Sequence, residues 1–329
     1  MKKLSAYIYH PTMLQREKPS DRSSRALNTY IRVCLFFSYL WACLRYWVVP
    51  WNYFGLNSRY FNKKKGIFSK LEMDSVIPER VRLRQTYYDP DKPPRHYPVF
   101  IKPEWGQNSN GIVRVNNQKE FQAFETGIDG TMPFIVQDAA AGKKEFEIYY
   151  LRSPDDSDTC AFLSITQVTN TCRKHHPINS IHNPCTVYQE ITQTFSSKEL
   201  QKIWFSLRKI GRFRMARVGL KAADYRGILK GKFHIVEINL FLPMPLVLLT
   251  KNVGLVEKNR IMKKTMSIAA RLAKAIPKKE SGKTIFFQKF TTCAIEIMYI
   301  FWRLRSKFKL KFFFFKPVFT FFVPFNSSN

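Results

Sequence analysis

From Tyr30 to Phe54 the chain reads YIRVCLFFSYLWACLRYWVVPWNYF, and its longest uncharged run, Val33 to Leu44, is 12 residues between Arg32 and Arg45. A helix that crosses a bilayer needs about 20 apolar residues, so this run is short unless both arginines extend their heads to the interface. Trp47, Trp51 and Tyr53 follow it and suit the headgroup level. The segment reads as interfacial or re-entrant, with a spanning helix and a buried helix of a globular domain as alternatives. The far end repeats the theme. Ile285 to Trp302 is apolar but broken by Lys289 and Glu296, and it leads into RLRSKFKLKFFFFKPVFTFFVPF, where basic residues alternate with phenylalanines. A disordered basic tail is normally poor in aromatics, so this pattern fits a membrane surface.

The charge agrees with such a surface. Lys and Arg number 54 against 24 acidic residues, a net charge of +30, which calls for an anionic partner such as nucleotide, nucleic acid or acidic lipid. The 29 phenylalanines gather at the two ends instead of interleaving with the basic stretches, which favours an anionic membrane over nucleic acid. The six cysteines are scattered and the N-terminus lacks a cleavable signal pattern, so the expected location is the reduced, cytoplasmic face of a membrane. Nothing in the sequence fixes an oligomeric state.

The 329 residues divide by character into a basic arm (1–29), the hydrophobic and aromatic segment (30–56), a core (57–277) and the basic, aromatic tail (278–329). The core has a mixed α/β pattern. β-rich runs bounded by turn residues predict strands at Tyr97–Lys102, Gly111–Val115, Pro133–Gln137, Glu145–Leu151, Cys160–Val168, Arg214–Lys221 and Phe233–Ile238. Helical patterns fit Gln118–Glu125, Ser197–Ile210 and Val256–Ala275, with Asn116 or Asn117 and Ser196 or Ser197 as caps.

Three stretches carry chemistry. In YPVFIKPEWGQNSNGIVRVN a strand ends on Lys102 and passes into a loop from Gly106 through Ser109 to Gly111, small enough for backbone N–H groups to approach phosphate oxygens while the ammonium supplies charge. An ordinary hairpin loop has the same form. In PFIVQDAAAGKKEF, Gln137, Asp138, Ala139 and Ala140 make a flat connector whose backbone can pair with a planar base, and Glu145 can accept ribose hydroxyls; an alanine-rich bend is the plain alternative. In FHIVEINLF, Glu237 and Asn239 lie two apart on an otherwise apolar strand, so both face one side. Acid and amide oxygens together suit magnesium bridging phosphates.

In this order the three stretches resemble the ATP-grasp superfamily, most closely its carboxylate-amine ligases of the D-alanine:D-alanine ligase type, over roughly Phe61 to Pro245. The resemblance implies an ATP-grasp fold in which two subdomains enclose a nucleotide cleft, with ATP and Mg2+ (or Mn2+) as cofactors. It places Lys102 on the phosphates beneath the loop of Gly106, Ser109 and Gly111, Gln137 to Ala140 against adenine, and Glu145 on the ribose. It makes Glu237 and Asn239 the metal ligands. Upstream, KKKGIFSKLEMDSVIPERV resembles the family's first lysine-helix element, and the spacing to Pro78 makes Lys65 the second phosphate lysine. Lys174 or Arg173 falls where the family has a basic residue over the terminal phosphate. Arg217 matches the arginine that steadies the tetrahedral state, with an ion pair to Glu237 as its structural alternative.

Two departures from the family stand out. Its ligases carry R-x-D on the strand before E-x-N, whereas Gly219 stands at the aspartate position here, leaving Asp224 or solvent to replace a metal ligand. About 60 residues, many hydrophobic, precede the first lysine, where the family usually has a Rossmann-like domain that helps to bind the acceptor. The implied function is an ADP-forming, C–N bond-forming ligase at a membrane surface, acting on small-molecule or lipid-linked carboxylate and amine substrates. A non-catalytic ATP-grasp protein that binds nucleotide or acidic lipid is the alternative. A rival constellation, Cys172, His175, His176, His182 and Cys185, has zinc-like C-x2-H and H-x2-C spacing, against the plainer reading of a surface loop.

Overall fold

Alternation decides which way each strand faces, and the run KEFEIYYLR sets the pattern for the molecule: Phe146, Ile148 and Tyr150 fall on one face, Glu145, Glu147 and Tyr149 on the other. The computed structural model of the chain describes residues 19–105, 111–124, 133–172, 185–280 and 282–289. Its elements run α1 (Pro19–Tyr46), α2 (Lys70–Asp74), β1 (Gln85–Tyr87), β2 (Val99–Pro103), β3 (Val113–Val115), α3 (Gln118–Gln122), β4 (Phe134–Asp138), β5 (Lys144–Arg152), β6 (Cys160–Asn170) and β7 (Thr186–Glu190). They continue with α4 (Ser197–Leu207), β8 (Met215–Ala222), α5 (Tyr225–Leu229), β9 (Phe233–Asn239) and α6 (Leu255–Lys274). The strands form a four-stranded sheet, β1-β4-β2-β3, and a five-stranded sheet, β7-β6-β5-β8-β9. Every pair in both is antiparallel. The fold is mixed α/β, as expected.

All seven predicted strands form, within two residues of the expected ends. Their alternating apolar residues find partners on one face. Phe146, Ile148 and Tyr150 of β5 and Val218 and Leu220 of β8 pack with Ile203, Trp204 and Leu207 of α4. The start of α4 is set by a capping box, Ser196 accepting from the Glu199 N–H while the Glu199 carboxylate accepts from the Ser196 N–H. In the smaller sheet Val99, Ile101, Val115 and Val136 bury against Phe121 of α3, which Asn117 caps. The short strands β1 and β7 and the five-residue helices α2 and α5 were not anticipated, being too brief for periodicity to register.

The N-terminal apolar segment departs from expectation in two ways. Its helix begins at Pro19, inside the stretch read as a basic arm; proline suits a first turn whose N–H groups lack partners in any case. The helix also joins the core. Tyr39, Ala42 and Cys43 pack against Met266, Ala269, Ala270 and Ala273 of α6, and the Tyr46 hydroxyl lies 2.9 Å from Ser267 Oγ. On the opposite stripe Phe37 (61 %), Trp41 (71 %) and Leu44 (72 %) are exposed, and Trp47 beyond them more so. By length and composition Ala26–Tyr46, 21 residues, suffices to cross a membrane, and among the described residues no other helix does.

Two compact units divide the chain, Met1–Phe286 and Phe287–Asn329, and both sheets lie in the first.

Candidate nucleotide cleft

The four-stranded sheet turns Gln85, Phe100, Lys102 and Gln137 away from its apolar core, because Phe100 pairs with Gln137 and Gln137 with Gln85 across β2-β4-β1. Facing them is β9. Val236 is the extra residue of a β-bulge there, since Gly219 pairs with Glu237 while Leu220 pairs with Ile235. The bulge frees its carbonyl. Lys102 Nζ donates to Val236 O at 3.2 Å and to Gln137 Oε1 at 2.9 Å, and Gln137 Nε2 donates to the same carbonyl at 3.3 Å. Lys70 closes the arrangement from α2, whose N-cap Ser69 accepts from the Glu72 N–H; Lys70 Nζ donates to Pro103 O at 3.1 Å. Lys70, Lys102, Gln137, Val236 and Glu237 line a cavity of about 20 Å³, room for a single water.

Burial and like charge set the electrostatics of this corner. Lys102 is 5 % exposed, and burial, reinforced by the Lys70 charge, pushes its ammonium down to about 7 against the weaker pull of Glu237 and Asp74. Burial lowers Lys70 as well, again opposed by Glu237. Two cations held below their ordinary range are a receptor for negative charge.

The five-stranded sheet supplies the carboxylates. Glu147 on β5 lies directly opposite Gly219 on β8, which lies directly opposite Glu237 on β9, so all three positions share one face. A Cβ added at Gly219 would stand 2.9 Å from Glu147 Oε1. The Glu147 carboxylate thus occupies the space over the glycine. Its Oε2 lies 3.2 Å from Arg217 Nε, one pair further along β8, where Arg217 faces Asn239. Glu145, two residues back on β5 and opposite Lys221, is raised to about 8 by burial and then by Glu147, with Lys221 opposing.

No protein-family model matches the sequence, and no curated protein matches it. Solved structures do show similarity of chain path. The D-Ala:D-Ser ligase VanG of Enterococcus faecalis aligns at 14 % identity and a TM-score of 0.42, covering 61 % of each chain. The D-alanine:D-alanine ligase of Bacillus anthracis aligns at 13 % identity and 0.41, covering 68 % of this chain and 69 % of that one. The L-amino acid ligase of Bacillus licheniformis aligns at 19 % and 0.37, and the chain spans 41 % of its length.

The structure brings Lys102, Gln137 and Glu237 together and sets Asn239, Glu145 and Arg217 on the same sheet face as Glu237. Other expected residues have different partners. Lys65 does not enter this corner: it donates to Glu104 Oε1 at 2.7 Å and to the Tyr87 hydroxyl at 2.9 Å, both raising its pKa, and Lys70 stands in the cleft instead. Gln137 turns its amide to Lys102, and the connector's N–H groups are partly spent, Asp138 on Arg84 O and Ala139 on Pro98 O at 3.2 Å. Ala140 follows in the same connector. Asp224, the expected stand-in at the metal, caps α5, accepting from the Gly227 N–H at 2.8 Å. Arg217 pairs with Glu147 and not with Glu237. Gly111 closes the β2–β3 turn at φ +72°, a conformation that favours glycine, while Gly106, Ser109, Arg173 and Lys174 lie outside the described residues.

The zinc constellation loses its thiols. Cys172 and Cys185 form a disulfide, because the final β6–β7 pair, Asn170 and Thr186, brings their Cα atoms to 5.5 Å; this also departs from the expectation of six reduced cysteines. His175, His176 and His182 lie outside the described residues. The residues that sequence reasoning missed did leave signals. Glu147 stands two after Glu145, the same i, i+2 polar spacing as Glu237 and Asn239 within an apolar strand, and Ser69 with Glu72 marks a helix start that puts Lys70 in the first turn.

Proposed function

We propose that the chain is an ATP-grasp ligase that uses Mg-ATP to activate a carboxylate as an acylphosphate, which an amine or similar nucleophile then attacks, at a membrane surface. The observation that carries the reading is the juxtaposition of buried Lys102 on one sheet and half-buried Lys70 on α2 with Glu237 of the other sheet, whose face also carries Asn239. The fit of a cation rests on Gly219. Glu237 and Asn239 would hold it through hard oxygen donors, with Glu147 filling the space over Gly219. The chemistry magnesium supplies there is neutralisation of phosphate charge.

The chain's own groups do the rest. Lys102 leaves Val236 O and Gln137 for the phosphates, and charging it is favoured once an anion is present. Lys70 assists from the first turn of α2, and Glu145 takes the ribose hydroxyls. The substrate carboxylate oxygen attacks the γ-phosphorus and ADP leaves. The nucleophile then adds to the acyl carbon, Arg217 steadies the oxyanion, and phosphate leaves with its bonding pair. Enclosure between the sheets keeps water from the acylphosphate.

The exposed stripe of Phe37, Trp41, Leu44 and Trp47 supports the membrane setting, since its opposite stripe is already buried and an interfacial helix needs one free apolar face. In this reading the cytoplasmic leaflet presents the substrate. Gly219 favours the second reading, a nucleotide binder without turnover. ADP and phosphate release with candidate acids and amines separates the two, and failure of the protein to float with anionic liposomes removes the membrane from either.

A further inference from the structure

Far from the cleft, at the other end of β5, lies a groove of about 760 Å³ lined by Arg59, Arg152, Arg208, Lys209, Arg212 and Arg214. We propose that it binds a multiply phosphorylated anion. From Glu145 to Arg152 the strand advances about 23 Å at ~3.3 Å per residue, so this site is separate from the nucleotide cleft.

The charge in the groove is not balanced internally. Arg59 and Arg214 share one carboxylate, Glu280, at 2.7 and 3.1 Å. Asp158 is the acidic residue in the lining, so the six cations retain an excess of four positive charges. Arg208, Lys209 and Arg212 make no ion pair among the described residues. Arg152, 3 % exposed, is held only by carbonyls: those of Phe213 (2.9 Å), Ser157 (2.5 Å), Arg208 (3.0 Å) and Gly211 (3.1 Å). Those bonds tie the β5–β6 turn to the turn after α4. They leave a buried guanidinium charge, stacked on Trp204, that makes no ion pair among the described residues.

A helix C-terminus attracts cations, and that accounts for Arg208 and Lys209 after α4. It does not account for Arg59 and Arg152, which arrive from other segments, or for Arg212 and Arg214 further along the connection to β8. Converging guanidinium groups recognise phosphate in bidentate fashion, and the volume suits a ligand carrying several such groups. Leu56 and Asn57 also line the groove, a few residues after Trp51, and so connect it in sequence to the aromatic segment. The phosphates could therefore belong to a lipid headgroup or to a soluble polyanion, and the experiment distinguishes the two.

The probe is inorganic tripolyphosphate, titrated by calorimetry into the full-length protein at physiological salt with the cleft saturated by a non-hydrolysable ATP analogue. The test variant combines Arg208→Gln, Lys209→Gln and Arg212→Gln, side chains whose only described partner is the Phe205 ring beneath Arg208. The expected result is binding by wild type, weakened about tenfold or more in the triple variant, as loss of charge-assisted bonds requires. Lys102→Ala leaves tripolyphosphate binding unchanged. In flotation, a triple-variant-sensitive preference for vesicles of phosphatidylcholine with phosphatidylinositol bisphosphate, over vesicles of equal charge made with phosphatidylserine, assigns the site to a headgroup. Tripolyphosphate binding without that preference assigns it to a soluble anion. Absence of tripolyphosphate binding, or binding equal in the triple variant, overturns the proposal. So does binding lost in Lys102→Ala alone, which leaves the ligase reading standing.

Discussion

Placing an aspartate back at position 219 should damage the protein, and removing Glu147 should repair the damage. In Gly219→Asp the new Cβ would lie 2.9 Å from Glu147 Oε1 and 3.4 Å from its Cδ, so the Glu147 carboxylate must move and give up Arg217 Nε at 3.2 Å. Two carboxylates then sit within about 4 Å of each other, worth up to ~4 kcal/mol of repulsion at an effective dielectric near 20, part of which a raised pKa relieves. Net destabilisation of about 2 to 4 kcal/mol follows, a fall in melting temperature of roughly 3 to 6 °C for a chain of this size. Glu147→Thr alone leaves Arg217 without that partner and costs about 1 to 3 kcal/mol. Combined, the two changes return one carboxylate to the row and a partner to Arg217, so the double variant should lie within about 1 kcal/mol of wild type. Urea unfolding measures the cycle, and Mn2+ titration by electron paramagnetic resonance asks whether cation binding with the ATP analogue returns alongside. A double variant as unstable as the sum of the singles would refute the claim that Glu147 fills the aspartate's space.

The remaining predictions concern the lysines and the exposed helix face. Lys102 lies at about 7 when folded against 10.5 when unfolded, so between those values the unfolded chain binds more protons and the contribution of Lys102 to stability rises with pH. Lys102→Met should therefore stabilise the ligand-free protein at pH 7 by about 1 to 3 kcal/mol, after the loss of its two hydrogen bonds, while abolishing nucleotide binding. Because phosphate binding needs the ammonium, affinity for the ATP analogue should be flat below pH 7 and fall as pH rises above it, by up to about tenfold per unit. Lys70→Ala should weaken analogue binding about tenfold or more, whereas Lys65→Ala should chiefly lower the melting temperature by leaving buried Glu104 short of a cation. Phe37→Ser with Trp41→Ser should reduce liposome flotation and leave the melting temperature within a few degrees of wild type, since both residues are exposed.

The strands were legible because alternation over five or more residues repeats a signal, and the caps at Asn117 and Ser196 were legible because short polar side chains have few other uses before an apolar run. What escaped was settled by tertiary contact. Lys65 and Lys70 look alike in KKKGIFSK, and only the buried Glu104 arriving after β2 decides which of them is taken out of the cleft. Glu147 looked like part of a strand, and its meaning depends on register: it faces Gly219, a residue that appears only as a loss until its neighbour's carboxylate is seen above it. The zinc reading failed for a related reason, since spacing alone does not reveal that β6 and β7 pair and bring the two thiols into contact. The apolar helix passed for a membrane element by composition, yet one stripe of it belongs to the core.

The central claim is that this cleft transfers the γ-phosphoryl group of ATP to a carboxylate. Incubating the full-length protein with Mg-ATP and pools of candidate acids and amines, while following ADP and phosphate release, tests it most directly. The account predicts acceptor-dependent release of both in equal amounts, lost in Lys102→Ala and in Glu237→Gln. Turnover that persists unchanged in both variants, or ATP binding with no ADP formed across the acceptor pools, would contradict it.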